Sequence, residues 1–363
     1  PYLIHQRVPV VVPEFNIYGL DMANRPLKQY VESTAQPDLP RSGVVAIKYG
    51  ANSQGCVFMC PNSLALQDAY IHSLAQRLKI FGDDGVYLDG TVHIGPLCEN
   101  LEHGDGYHDA EGKIHGTYAT FGVRKFMQRI YTVVKEHNPD DIVDVHCSWG
   151  WNPAGLAYAD VQWNGEQFGP KYHYKGVPDG YIPSALSLAQ FRTEFTGRQI
   201  GIGAEMLTYR LGKPNLCAAI SLLHDISPRL YTNSFDNFSR ASDSYYSQVP
   251  KIWKMRDEFD ADEAQKYFYY NNQDYVKVGE EDCYATLLKN PKTGLLCLVS
   301  NLSRDHQDVK IQLDLHSLGL AGHPLKAFNP LTKKALQIAD NGQITIPLDS
   351  MQWMYIWVKL AEN

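Results

Sequence analysis

The first 250 residues alternate short, apolar, strand-like segments with longer segments whose apolar residues recur at helical spacing. Strand-like runs include 44–49, 85–89, 142–147 and 157–163, and the clearest helical pattern spans 64–81, directly after a plausible cap at Asn62-Ser63. Such alternation is typical of a parallel sheet covered by helices. Because so many units follow one another, the sequence predicts an α/β fold of the (β/α)8 barrel type.

The pattern changes after Pro250. A polar stretch at 260–263 follows the last helical segment, and from residue 264 onward short alternating runs are separated by turn signals such as 290–293 and Asn341-Gly342. This pattern is typical of a small antiparallel β-sandwich. We therefore predict two domains, a barrel over 1–259 and a sandwich over 260–363.

Composition excludes several classes of protein. The 33 Lys and Arg against 40 Asp and Glu give a net charge of −7, which argues against a nucleic-acid-binding surface. No apolar run approaches the ~20 residues that span a bilayer, so we expect no membrane insertion. Cys56 and Cys60 are four apart with no matching second pair, which supports a zinc site only weakly. We expect no metal and no cofactor.

Several consecutive predicted strands carry an ionisable residue at or near the end where a barrel binds its substrate. These residues are Asp89, Asp144, His146, Asp160, Glu166 and Glu205. Paired carboxylates suit glycoside hydrolysis, in which one acts at the anomeric carbon and the other protonates the leaving oxygen. We assign the first role to Asp89, because its strand would hold it rigidly, and the second to Glu166. The other four are expected to bind substrate or to support the site.

Three tryptophans, Trp149, Trp151 and Trp163, fall at or just beyond the two middle strands. Aromatic residues make up 12% of the chain, and rings with polar edges suit sugars as well as ordinary cores. Two interpretations therefore stay open for these tryptophans. They form a wall on which a sugar stacks, or they fill the mouth of the barrel.

A long loop, 91–116, follows the strand that ends in Asp89. It contains four histidines among several carboxylates, at positions 93, 103, 108 and 115. Such a loop on the catalytic side suggests a substrate-shaping segment. It lacks the spacing of a calcium-binding EF-hand loop. A metal-dependent hydrolase that uses residues 93–115 is a weaker alternative.

Three segments carry a resemblance to a known group: CPNS at 60–63, DGVYLDG at 84–90 and YADVQWNGEQF at 158–168. In this order they resemble bacterial, Bacteroidetes-type glycoside hydrolases with a (β/α)8 barrel, similar to melibiase-type retaining glycosidases and to a gut-bacterial glycosidase-like group. The resemblance implies Asp89 as the nucleophile and Glu166, or Asp160, as the proton donor. It also implies a terminal β domain, a periplasmic or secreted location, and a barrel whose front strands are missing from this chain.

The sequence therefore predicts a glycoside hydrolase that cleaves a poly- or oligosaccharide with the pair Asp89 and Glu166. Its expected partner is the carbohydrate substrate. The alternative from another class is a catalytically inactive barrel that binds carbohydrate. Replacement of Asp89 by Asn separates the two hypotheses, because only hydrolysis depends on that carboxylate.

Overall fold

The computed structural model describes residues 4–7, 10–11, 46–48, 55–58, 60–89, 91–92, 97–147, 152–164, 188–195, 201–206, 214–228 and 245–361. The helices in these ranges are α1 (Leu64–Phe81), α2 (Thr120–His137), α3 (Pro153–Leu156), α4 (Leu188–Phe195), α5 (Pro214–Leu223) and α6 (Tyr245–Phe259). None of these described helices is long and apolar enough to cross a membrane.

The strands before residue 230 are β1 (Ile4–Arg7), β2 (Val10–Val11), β3 (Ala46–Lys48), β4 (Gly55–Phe58), β5 (Gly85–Asp89), β6 (Tyr107–His108), β7 (Ile114–His115), β8 (Ile142–His146), β9 (Val161–Asn164), β10 (Gly203–Met206) and β11 (Ser227–Pro228). The later strands are β12 (Gln265–Tyr267), β13 (Val276–Val278), β14 (Cys283–Asn290), β15 (Gly294–Asn301), β16 (Gln307–Leu313), β17 (Leu325–Phe328), β18 (Ala335–Leu336), β19 (Gln343–Leu348) and β20 (Trp353–Leu360). Contacts divide the chain into two compact units, 1–164 with 197–203 and 165–196 with 204–363.

The first unit contains a parallel sheet in which β1, β5, β8 and β9 are neighbours in chain order. Helices α1 and α2 cover one face of it, where Leu74 and Phe126 pack with Leu88 and Val145 in one hydrophobic core. The predicted parallel sheet with covering helices is confirmed for these strands, whereas the predicted strand at 44–49, as β3, pairs antiparallel with β4 in a separate sheet. The described strands do not close into a barrel, so the eight-stranded closure stays a prediction.

Helix α1 has the bounds that its apolar spacing predicts, because its sequence supplies both ends. The Ser63 side chain accepts a hydrogen bond from the backbone N–H of Leu66 at 3.4 Å and caps the first turn. Gly82 ends the helix in the left-handed region, with φ of 62°. The helix therefore begins and ends at fixed points, directly before the strand that ends in Asp89.

The second unit contains a β-sandwich. A six-stranded sheet, in the order β12-β14-β15-β20-β17-β18, faces a three-stranded sheet, β13-β16-β19, and every pair for which a register is given is antiparallel. Leu287, Val299 and Ile356 of the larger sheet share a core with Ile311 and Ile344 of the smaller one. The predicted antiparallel sandwich is confirmed.

The predicted turn at 290–293 is also confirmed, since β14 and β15 form a hairpin around it. Asn290 pairs with Gly294, and the Asn290 side chain accepts from the backbone N–H of Lys292 at 2.9 Å. Gly294 has a φ of 104°, and a Cβ at this position would lie 2.4 Å from the carbonyl oxygen of Val358. Glycine is therefore required where the hairpin passes β20.

Helices α5 and α6 cover the outer face of the six-stranded sheet. Leu222 of α5 and Ile252 of α6 share a core with Leu296 and Trp353 of the sheet. The Ser300 hydroxyl donates to the carbonyl oxygen of Ala219 at 2.7 Å, which fixes α5 to β15. The predicted domain boundary between residues 259 and 260 thus falls inside one continuous hydrophobic core.

His224 is buried in the second unit as a neutral imidazole. Its Nδ1 lies 2.7 Å from the carbonyl oxygen of Ile220 and therefore donates, so Nε2 accepts from the Tyr269 hydroxyl at 3.1 Å. Burial lowers the pKa of His224 to about 4, and the positive charge of Arg192 adds to this effect, while the Ile220 carbonyl opposes it.

This histidine should make the stability of the protein depend on pH. In the unfolded chain His224 takes up a proton near its ordinary pKa of about 6.5, whereas the folded protein excludes that proton until about pH 4. We expect the free energy of unfolding to fall as the pH drops through this window. Urea unfolding between about pH 7 and about pH 5 should give a steeper loss for the wild type than for His224→Gln. If the free energy of unfolding fell equally with pH in the wild type and in His224→Gln, the lowered pKa of His224 would not be the cause.

Candidate functional site

Three consecutive parallel strands end in a row of polar and aromatic side chains. Leu88 pairs with Val145, and His146 pairs with Trp163, so Asp89, His146 and Trp163 lie side by side at the carboxyl edge of the sheet. Successive residues of a strand point to opposite faces. Because Leu88 and Val145 face the helices, the row lies on the opposite face. In a barrel that face and that edge hold the substrate.

Asp89 and His146 form the polar part of this row. His146 Nδ1 lies 3.0 Å from Asp89 Oδ1. An ionised carboxylate only accepts hydrogen bonds, so Nδ1 carries the hydrogen and donates it. The Asp89 side chain is 20% exposed and the His146 side chain 9%. The carboxylate is thus held in a defined orientation and is still reached by solvent.

Aromatic rings fix the position of the imidazole. The His146 ring centre lies 5.7 Å from that of Trp163 and 6.4 Å from that of Tyr87, whose own ring meets Trp163 edge-on at 5.3 Å. Trp163 is only 6% exposed. The structure therefore gives Trp163 a packing role at this edge and offers a sugar little of its surface. Tyr87 did not stand out in the sequence, although it precedes Asp89 by two residues on the same face.

Asp144 lies one row deeper than Asp89 and His146. It is in register with Tyr87 on one side and Val161 on the other, and it is fully buried. Burial, and then the charge of Asp144, raise the pKa of the neighbouring Cys147 thiol. Asp144 therefore lies beneath the row, away from the exposed edge.

Asp160 lies at the opposite edge of the sheet from Asp89. The predicted strand over 157–163 begins only at Val161, so Asp160 precedes it. Its Oδ2 accepts from the backbone N–H of Val143 at 2.9 Å, at the start of β8, and lies 2.9 Å from Lys135 Nζ. The structure does not bring Asp160 together with Asp89, and its contacts are those of a structural ion pair.

Four predicted site residues remain: Glu205, Glu166, Trp149 and Trp151. Glu205 belongs to the second unit, on β10, where it is in register with Ser227 of β11. Glu166, Trp149 and Trp151 lie outside the described residues. The partnership of Asp89 with Glu166 therefore stays a prediction.

Two of the four histidines of the loop 91–116 make contacts within a small hairpin. His115 Nε2 lies 2.6 Å from Asp109 Oδ2, and His108 Nδ1 lies 3.1 Å from the carbonyl oxygen of Gly112. The hydrogen bond from His115 lowers the pKa of Asp109. Among the described residues, the one group arranged to hold a metal ion is Cys60, Cys98 and Asp105. Of these, only Cys60 drew attention in the sequence, and only as a weak zinc signal.

Comparisons with known proteins agree with this architecture. Residues 248–351 match the family model for the glycoside hydrolase 123 C-terminal domain. No curated protein matches the sequence. Among solved structures, the noncanonic maltogenic α-amylase AmyB from Thermotoga neapolitana aligns at 10% identity and a TM-score of 0.57, covering 99% of this chain and 77% of that one. Amy13B of Eubacterium rectale aligns at 11% identity and a TM-score of 0.53, covering 99% of this chain and 79% of that one.

Two conclusions follow from these comparisons. Residues 248–351, which lie in the second unit, are similar to the C-terminal domain of a glycoside hydrolase family. At 10% and 11% identity the structural likeness concerns the fold alone, which is similar to that of barrel glycoside hydrolases with a C-terminal β domain.

Proposed function

We propose that this protein is a glycoside hydrolase in which Asp89 acts at the anomeric carbon of the substrate. The observation that carries the proposal is the Asp89 carboxylate itself, which lies at the carboxyl end of β5, partly exposed and 3.0 Å from His146 Nδ1. The family match of the C-terminal domain and the fold likeness support the same class of enzyme.

The chemistry requires a second carboxyl group, and we assign this role to Glu166. It follows the last residue of β9, Asn164, by two positions, so it is expected beyond the same edge of the sheet. In the retaining reaction, Asp89 bonds to the anomeric carbon as the glycosidic bond breaks, and Glu166 gives its proton to the leaving oxygen. Glu166 then takes a proton from water, whose oxygen displaces Asp89 from the sugar.

His146 positions the nucleophile in this scheme. Its N–H donates to one oxygen of Asp89 and fixes the orientation of the carboxylate. The rings of Tyr87 and Trp163 keep the imidazole in place. Substrate binding would rest on side chains around this row, and we propose a poly- or oligosaccharide as the substrate.

The experiment that tests the proposal is a screen of the purified protein against aryl α- and β-glycosides and against oligosaccharides, with release of sugar as the measured quantity. We expect turnover of at least one substrate. The Glu166→Gln variant should lose more activity on substrates with poor leaving groups than on activated aryl glycosides, because only the former need the proton. A protein that binds a sugar but does not hydrolyse any glycoside would favour the alternative of a catalytically inactive carbohydrate-binding barrel.

Removal of the His146 hydrogen bond should slow catalysis while sugar binding is retained. A hydrogen bond to a charged group contributes about 1.5–3 kcal/mol, which corresponds to a loss of about 10- to 100-fold in kcat for His146→Leu. His146→Asn is the matched control, because an amide N–H can replace the Nδ1 donor. We expect it to recover part of the lost kcat. Equal kcat values for the wild type and His146→Leu would contradict the positioning role.

A further inference from the structure

A second cluster of reactive side chains lies in the same unit, apart from the row that contains Asp89. Cys60 comes just before α1, Cys98 pairs through its backbone with Thr117, and Asp105 follows the short helical turn Leu101–His103. One ligand atom from each of the three residues lies within 4.8 Å of the others, and all three residues are buried. The cluster therefore joins the start of a helix to the long loop beyond β5.

Neighbouring polar groups orient every member of the cluster. Asn62 Nδ2 donates to Asp105 Oδ1 at 2.7 Å, which leaves Oδ2 against Cys60 Sγ at 2.9 Å. The backbone N–H of Asn62 donates to Cys60 Sγ at 3.4 Å. The backbone of Cys98 pairs with that of Thr117 through two hydrogen bonds, of 2.9 and 3.0 Å.

Asp105 places a carboxyl group in this buried cluster. Among the described residues, no Lys, Arg or His forms an ion pair with Asp105, whose side chain accepts hydrogen bonds from Asn62 and Cys60. A buried carboxylate without a cation is costly. A divalent cation between the carboxylate and the two sulfurs would remove this cost.

We propose that Cys60, Cys98 and Asp105 bind a divalent metal ion of the zinc type, with water as the remaining ligand. Two thiolates and a carboxylate are a ligand set that suits zinc. Metal–sulfur bonds of about 2.3 Å and metal–oxygen bonds of about 2.0 Å bring tetrahedral ligands to about 3.5–3.8 Å from one another. Atoms already within 4.8 Å need only small movements to reach this geometry.

Binding of the ion would proceed with loss of protons. A cysteine that carries a proton gives it up to solvent as its sulfur bonds to the metal, and Asp105 exchanges its hydrogen bond from Cys60 for the metal–oxygen bond. Asn62 keeps the carboxylate oriented throughout. The ion would then fix residues 97–117 to the start of α1. This site uses cysteines and an aspartate, in contrast to the histidine-based site considered for the loop.

A disulfide between Cys60 and Cys98 is the competing state of the same residues. A disulfide has no hydrogen to donate, so Asp105 Oδ2 would lose its contact with Cys60 and would be buried beside two sulfurs with Asn62 as its remaining donor. A bound metal ion would give the Asp105 carboxylate a cationic partner, whereas a disulfide would remove one of its two hydrogen-bond donors. The presence of Asp105 therefore favours the metal.

The test uses the full chain, purified under reducing conditions, loaded with zinc and then freed of unbound metal by gel filtration. Metal content measured by plasma mass spectrometry should be about one ion per chain for the wild type. We expect none for Cys60→Ser or Cys98→Ser. Cys283→Ser is the matched control, because Cys283 is a buried free cysteine of the second unit, and it should retain the ion.

Cobalt provides a measurement that does not depend on the folding of a variant. Wild-type protein loaded with Co²⁺ should show the sulfur-to-metal charge-transfer absorption of thiolate ligands and the intense visible bands of tetrahedral cobalt. Wild-type protein that takes up neither zinc nor cobalt would overturn the proposal. A Cys60–Cys98 disulfide in protein purified without reductant, together with failure of the reduced protein to bind metal, would assign the cluster to redox chemistry instead.

Discussion

Asp89→Asn is expected to reduce kcat/KM by about 10²- to 10⁴-fold for any glycoside that the protein hydrolyses. The amide is nearly the same size as the carboxylate, and its oxygen still accepts the hydrogen bond that His146 Nδ1 now donates at 3.0 Å. The fold should therefore persist while the negative charge at the anomeric carbon is lost. Initial rates on the best substrate of the screen, with circular dichroism to verify folding, measure this effect.

Asp160→Asn is the matched control for this prediction. Asp160 directly precedes β9, at the amino edge of the same sheet, and its Oδ2 lies 2.9 Å from Lys135 Nζ. We expect kcat/KM to stay close to that of the wild type, with a loss of stability of up to ~1 kcal/mol because the ion pair is partly exposed. If Asp89→Asn and Asp160→Asn lost the same amount of activity, the claim that only the carboxyl edge of the sheet is catalytic would be contradicted.

Asp225→Asn is expected to lower the free energy of unfolding by about 3–5 kcal/mol. The Asp225 carboxylate lies between two cations of the second unit, 2.7 Å from Arg256 Nη1 and 2.5 Å from Lys266 Nζ, and its side chain is 6% exposed. Without the carboxylate, both cations stay buried with no anion between them. Asn is the suitable replacement because Asp225 has a φ of 58°, which Asn tolerates.

The size of this effect should depend on pH in a defined direction. Burial opposes ionisation of Asp225, but the charges of Arg256 and Lys266 outweigh it and lower the pKa of the carboxyl group. A lowered pKa gives stability that is present above the unfolded value of about 3.9 and is lost as the pH falls through the folded value. The difference between wild type and variant in urea unfolding should therefore persist at neutral pH and close in acid.

Asp262→Asn is the control for the second prediction. Asp262 lies 3.9 Å from the same arginine, but its side chain is 97% exposed. Exposed ion pairs of this kind often contribute nothing measurable to stability, so we expect no change in the urea midpoint. A variant at Asp225 that is as stable as the wild type would contradict the account of the buried network.

Local signals account for the parts of the fold that the sequence predicts well. Helix α1 matches its predicted bounds because Ser63 and Gly82 cap it at both ends. The hairpin at 290–293 follows from residues that favour turns. The strand that ends in Asp89 is equally clear, since a short run of apolar residues follows a positive-φ glycine, Gly85. In each case the information lies within a few residues.

The sequence and the structure differ where residues distant in the chain meet. The sequence predicts a strand over 157–163 that contains Asp160, but β9 begins four residues later, at Val161, so Asp160 lies at the other edge of the sheet from Asp89. Cys60 and Asp105 are 45 residues apart, and no periodic pattern links them. The polar stretch at 260–263 predicts that helix α6 belongs with the barrel, whereas residues of that helix share a hydrophobic core with strands of the sandwich. Only tertiary packing decides these matters.

The most direct test of the central claim is to trap the sugar on the enzyme. A fluorinated glycoside with an activated leaving group, matched to the substrate found in the screen, slows release of the covalent intermediate. We predict that the intact mass rises by one fluorinated glycosyl group and that fragmentation of the tryptic peptide 80–113 locates the group on Asp89. An active enzyme that carries the label on any other carboxylate would contradict the claim.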